Sequence, residues 1–233
     1  MFTSTDEENH GKLHIRVRIR GFLNFYNDGV GMEEQDSYYD RGREVLKRSA
    51  VECPDPHARR YSILLLSREK DPDLLPVFVS GMKDEDKGVR EQAARAMAEL
   101  GDPAVTPLMD LIQDKEWRIR YRAAEALGMM GYGPGTPALV RALQDEKDHV
   151  RYMAAKSLGT IGDPGSLEPL IERLDDENEF VRRMAAISLA KIGLPRARSA
   201  ITMAMEKERN PEVREAMSQA LAGIPVPGPE LED

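Results

Sequence analysis

Val150-Arg151-Tyr152-Met153-Ala154-Ala155-Lys156-Ser157-Leu158-Gly159-Thr160-Ile161-Gly162 is the stretch whose reading decides the fold. Its apolar residues stand one before the Arg and three, seven and ten after it, which is helical spacing and not strand alternation. Val89-Arg90 through Gly101 repeats the pattern, as do Ile119-Arg120 through Gly131, Val181-Arg182 through Gly193 and Val213-Arg214 through Ile224. Counting Arg59, the spacings between successive Arg residues are 31, 30, 31, 31 and 32. A constant period of this length is the signature of a repeat architecture.

Each copy is punctuated. Gly101, Gly131, Gly162 and Gly193 fall where a left-handed C-cap belongs, and Pro103, Pro134, Pro164 and Pro195 follow to stop the helix. A second, shorter helix is marked by Leu108, Leu111 and Ile112, by Leu139, Val140 and Leu143, and by Leu167, Leu170, Ile171 and Leu174. Asp86, Asn178 and Asn210 stand as N-caps before the repeat helices. Two antiparallel helices cannot bury their apolar faces alone, so the copies must stack. The expectation is an all-α chain, an α-solenoid of about six helix-turn-helix repeats spanning residues 33–224.

Residues 1–32 do not fit the period. Leu13, Ile15, Val17 and Ile19 alternate with basic residues as in a strand, with no second strand to pair with. They read as a flexible basic leader, or as a stretch ahead of a true start at Met32. Residues 225–233, rich in Pro and Gly and ending in acidic residues, read as a mobile tail. The formal charge of −8 argues against coating nucleic acid or an anionic membrane through the overall field. The single cysteine, Cys53, precludes an internal disulfide and points to a reducing, cytoplasmic setting, and no apolar run is long enough for a membrane span.

The repeat Arg invites a phosphate-binding reading, but Asp84, Asp114, Asp145 and Asp176 each stand six residues before Arg90, Arg120, Arg151 and Arg182. A structural ladder of Asp–Arg pairs is the stronger reading, broken at the ends by Cys53 and Glu208.

The motif Asp-x-x-x-x-Val-Arg-x-x-Ala-Ala-x-x-Leu-x-x-x-Gly, from Asp145 to Gly162, resembles the short HEAT-like repeat of the phycobiliprotein-lyase type over about residues 55–224. Such a resemblance implies the solenoid fold; members include bilin lyase subunits, deoxyhypusine hydroxylase and scaffold proteins. The hydroxylase branch would require His-Glu pairs for its two irons, and none of His10, His14, His57 and His149 is followed by Glu. P-loop, CxxC, nucleophile-elbow and zinc spacings are also missing. The expectation is therefore no cofactor, no metal and no catalytic residue.

Function then rests on the surface. Positions one, five and nine after each Arg should form columns on the concave face, and a shoulder column lies two after it. Tyr121, Arg122, Tyr152, Met153, Lys156, Arg183, Met184 and Ile187 cluster there on adjacent layers. Aromatic and Met groups edged by Arg and Lys suit a partner-protein groove for a peptide or helix, although Met153 and Met184 could equally fold into the core. Trp117 either joins this face or seals its turn. The expected function is a non-catalytic adaptor, either free-standing or one half of a heteromer. The alternatives are a lyase-like subunit holding a chromophore and, more weakly, nucleic-acid binding by the leader.

Overall fold

The computed structural model describes residues 32–131 and 133–224. The leader and the tail, with the strand, start-site and nucleic-acid readings attached to the leader, lie outside the described residues. All regular structure among the described residues is helical, in two compact units that divide between Leu100 and Gly101.

In the first unit, α1 (Met32–Glu52) packs on α2 (Pro56–Ser67), and α3 (Leu75–Met82) on α4 (Lys87–Leu100), with α2 also packed against α4. In the second unit the outer helices are α5 (Val105–Leu111), α7 (Thr136–Ala142), α9 (Leu167–Glu172) and α11 (Pro195–Lys207). They alternate with the inner helices α6 (Trp117–Met130), α8 (Asp148–Ile161), α10 (Glu179–Ile192) and α12 (Pro211–Gly223). Inner helices pack side by side, α6 on α8, α8 on α10 and α10 on α12. Each unit is a stack of helix pairs, and the fold is an α-solenoid.

The sequence periodicity explains these elements. Val89, Val150 and Val181 are fully buried one residue before the repeat Arg, and Leu127, Leu158 and Leu189 are buried seven after it. Asn178 caps α10 by accepting from the Phe180 and Val181 amides, and Asn210 caps α12 in the same way through Glu212 and Val213. At the other end Gly162 adopts φ 73° and ψ 16°, the left-handed cap that closes α8. Here an L side chain would cost about 1–2 kcal/mol.

The inner helices are buried more widely than one apolar stripe requires. Ala94, Ala124, Ala155 and Ala186, four after the Arg, are fully buried, and Ser157 and Ser188, six after it, are nearly so. An inner helix with neighbours on both sides and an outer helix behind presents only a narrow face to solvent. Small residues line its flanks because the helices approach closely. Ser157 Oγ donates to Ala124 O at 2.8 Å and Ser188 Oγ to Ala155 O at 2.8 Å, each reaching across to the neighbouring inner helix.

Candidate functional site

Two features recur along the repeats: a set of charged rungs between successive layers, and the narrow outward face of the inner helices.

The ladder is built differently from the sequence expectation. Arg120 does not pair with the carboxylate of Asp114 six residues before it. Its Nη1 donates to the backbone oxygens of Asp114 (2.8 Å) and Lys115 (3.0 Å). Its Nε and Nη2 form a fork onto Asp145 of the next repeat, at 2.6 and 2.8 Å. Arg151 repeats the arrangement with Asp176 at 2.9 Å through both nitrogens, and Arg59 with Asp84 at 2.7 and 2.8 Å. Asp84, Asp145 and Asp176 are each turned toward the preceding repeat's Arg while they also accept the amide two residues on, as Asp176 does from Asn178 N at 2.9 Å. This geometry explains the pairing. An Arg in the first turn of a helix lies against the carbonyls of the loop it has just left, so its fork points onward to the next layer.

Nor does Glu208 break the ladder. It accepts from Arg182 Nε at 2.7 Å and Nη2 at 3.0 Å, its longer side chain taking the role of Asp in a repeat one residue longer. Cys53 serves through its backbone, its carbonyl accepting from Arg59 Nη1 at 2.7 Å. Arg90 donates Nη1 to Asp84 O at 2.6 Å. With forks closed and side chains only 7–19% exposed for Arg59, Arg120, Arg151 and Arg182, these groups hold the repeats together and are not arranged to bind phosphate.

The ladder carries a pH dependence. Arg182's hydrogen bond holds the Glu208 carboxyl below its ordinary range, against the opposing effect of burial. For Asp84 burial is the largest influence and raises it, but the Arg59 bond and the Asp86 amide together bring it below the usual value. A carboxylate with a depressed folded pKa adds stability that is present above its unfolded pKa, about 4.3 for Glu, and is lost as pH falls through the folded value. We therefore expect Glu208→Gln to be less stable than the parent at neutral pH but to lose less on acidification. Urea midpoints at pH 7 and at about pH 3.5 check this, and parallel losses in both proteins would refute it.

The outward face is narrower than expected. Met153 is 2% exposed and Arg122 6%, so neither lies on it. The reason is helical: the position two after the repeat Arg is three after the buried position before it, and so shares its side. The buried Arg122 supports the face from beneath, bonding Glu125 and lying 5.4 Å from the Tyr121 ring. Met184 and Ile187 are half-buried, as are Tyr121 and Tyr152, while Lys156 and Arg183 are exposed.

Residues two before the Arg extend this face, and the sequence reading missed them as a row. Arg118, His149 and Phe180 stand there, three residues ahead of Tyr121, Tyr152 and Arg183. The missed signal was that same three-residue step. Phe180 is 58% exposed. Trp117 does not merely seal its turn: its ring lies 5.1 Å from His149 of the next layer, and Arg118 covers it at 5.0 Å. His149 Nδ1 lies 2.7 Å from Asp148, which in turn accepts from Asn178 Nδ2 at 2.5 Å. Aromatic and polar groups of α6, α8 and α10 thus link into one row. Among the described residues no group of three or more His, Cys, Asp or Glu converges as metal ligands would, and no helix is long and apolar enough to cross a membrane.

The chain belongs to the HEAT-repeat family, whose pattern matches residues 44–128 and 136–222. Within it, residues 119–145 match the PBS lyase HEAT-like repeat. No curated protein matches the chain. Among solved structures it is similar to the complex of CpcE and CpcF of phycocyanin lyase from Nostoc sp. PCC7120, at 20% identity and TM-score 0.60, covering 64% of this chain and 99% of that one. It is also similar to the karyopherin Kap121p bound to the extreme C-terminus of the protein phosphatase Cdc14p, at 18% identity and TM-score 0.66, covering 81% of this chain and 26% of that one. A designed armadillo repeat protein in complex with the peptide (KR)4 matches at 19% identity and TM-score 0.50, covering 78% of this chain and 99% of that one. At such identities the likeness is one of fold.

Proposed function

We propose that this chain is a non-catalytic cytoplasmic adaptor that holds a peptide or helix of another protein on the inner-helix face of the second unit. The observation that carries the reading is the row of partly open aromatic rings, Tyr121, Tyr152 and Phe180, on three consecutive inner helices. Rings with few rotatable bonds, set on a packed scaffold, lose little entropy on binding. The fold supports the reading, since stacked repeats present extended surfaces. A pull-down with the full chain and with Tyr121→Ala/Tyr152→Ala tests it. A partner held by the parent should be lost from a variant whose helical circular dichroism is unchanged, and equal recovery by both would refute the reading.

A lyase-like subunit is the alternative, favoured by a different place. A cleft of ≈360 Å³ between α9 and α11 is lined by Ile171, Leu174, Ala200, Met203 and Ala204, with Lys207, Asp175 and an Arg196 already forked onto Glu168 beside them. An apolar floor with a cation such as Lys207 beside it is one element that a propionate-bearing chromophore needs. Incubating the same two preparations with a linear tetrapyrrole tests this alternative; an unchanged visible spectrum excludes it.

A further inference from the structure

We propose that the segment bound on the inner-helix face is acidic: a carboxylate-rich peptide whose aromatic or aliphatic anchors seat against Tyr121 and Tyr152 and whose carboxylates meet Lys156, Arg183 and Lys191. This deepens the adaptor reading and rests on it.

The argument is one of charge complementarity. On α6, α8 and α10 the outward stripe runs through the positions two before and one, five and nine after the repeat Arg. Its cations are Arg118, Lys156, Arg183 and Lys191, and its one carboxylate is Glu125. Glu125 is already neutralised by the buried Arg122 beneath it. The face is therefore positive on a chain whose formal charge is −8, so it is not a sample of the general surface.

Arg118 stands 3.8 Å from Glu116, and the pairing state of the other three cations separates them from the ladder. Arg59, Arg120, Arg151 and Arg182 each have a carboxylate fork. Lys156 and Arg183, both exposed, make no ion pair among the described residues, and neither does Lys191. The bland account of a surface cation, a solvated group balanced by neighbours of opposite sign, requires local carboxylates that this stripe lacks. Lys191 alone has another explanation, standing in the last turn of α10 where a cation favours the helix dipole.

Between the cations lie apolar surfaces: Tyr152 on the layer of Lys156, and the half-buried Ile187 between Arg183 and Lys191. Rings and aliphatic carbons flanked by unpaired cations form a centre that excludes water and a rim that selects sign. Nucleic acid is the other polyanion to consider. Strong electrostatic binding, as by a protein that makes about 6–10 phosphate contacts, needs more cations than the four on this face. The surrounding negative charge further disfavours a long uniform polyanion and tolerates a short acidic segment with apolar anchors.

The test is a random-peptide display selection against the immobilised full chain. One enriched peptide is then titrated against the parent, Lys156→Glu/Arg183→Glu and Tyr121→Ala/Tyr152→Ala, each checked for unchanged circular dichroism. We expect enriched sequences with net negative charge and aromatic or aliphatic residues. Charge reversal should weaken binding about tenfold, and so should raising salt from about 50 to about 500 mM. Neutral or basic enriched sequences, or full affinity in the charge-reversed variant, overturn the acidic partner. If binding then still depends on the tyrosines, the adaptor reading survives alone; if it does not, that reading fails too, as it does if nothing is enriched. Displacement of the peptide by a stoichiometric oligothymidylate overturns the proposal in favour of nucleic acid.

Discussion

Gly159→Ala destabilises the fold by about 2 kcal/mol or more, although Gly→Ala in an open helix interior normally stabilises by about 1 kcal/mol. The sign is reversed by the neighbouring inner helix. A Cβ on Gly159 would stand 2.4 Å from Ser188 Oγ, 2.5 Å from its Cβ and 2.7 Å from its Cα. The last of these is backbone and cannot rotate away. Relief requires α8 and α10 to separate, which would stretch the Ser188 hydrogen bond to Ala155 O and open the row of buried alanines. Urea unfolding monitored by circular dichroism measures the effect. A second substitution, Ser188→Gly, removes the Oγ and Cβ clashes but not the Cα one, and so should restore only part of the loss. A variant as stable as the parent would show that the helices have slack the distances deny.

Arg151→Ala costs about 3 kcal/mol, by a different route. Arg151 and Asp176 form the most enclosed rung of the ladder, with side chains 7% and 3% exposed. Truncation leaves Asp176 buried with only the Asn178 amide at 2.9 Å and Arg173 Nη1 at 3.7 Å, and it strips Asp145 O of its donor. The penalty is mainly the stranded carboxylate, so Arg151→Ala/Asp176→Ala should unfold at a higher urea concentration than Arg151→Ala alone. Arg151→Lys should recover little, because one ammonium cannot supply a planar fork and also reach the loop carbonyl. A double variant no better than the single would mean that the rung acts through packing and not through charge.

The fold was legible because the apolar period, the Gly caps and the Asn caps all point to one unit. The ladder's true pairing was not, for an arithmetical reason rooted in the repeat itself. In a period of 31, a residue six before one Arg is also 25 after the previous one, so sequence alone cannot say which partner it serves. Geometry decides, as the 25-residue separation of Arg151 and Asp176 records. The outward face was half legible. Tyr121, Tyr152, Lys156 and Arg183 lie on it, whereas Met153 and Arg122 are buried. A helix flanked on both sides buries positions that a single amphipathic stripe would leave open. The contacts at Gly128 and Gly159 did leave a trace: a mid-helix glycine is unfavourable and needs a reason, which here is a serine of the next layer.

The direction of the ladder bears on how such a chain can change over time. Each repeat offers its guanidinium forward and its carboxylate backward, as in the run from Arg120 through Asp145 and Arg151 to Asp176. A segment cut from one Arg to the residue before the next carries one of each. Its duplication or excision within a unit leaves every remaining rung closed, and the modules are exchangeable like links of a chain. A change of length inside a rung needs a compensating side chain, as Glu208 supplies where the separation from Arg182 is 26 residues instead of 25. At the ends the rule lapses: Cys53 contributes no carboxylate, and Arg214 meets the Glu208 carbonyl with no repeat beyond it among the described residues.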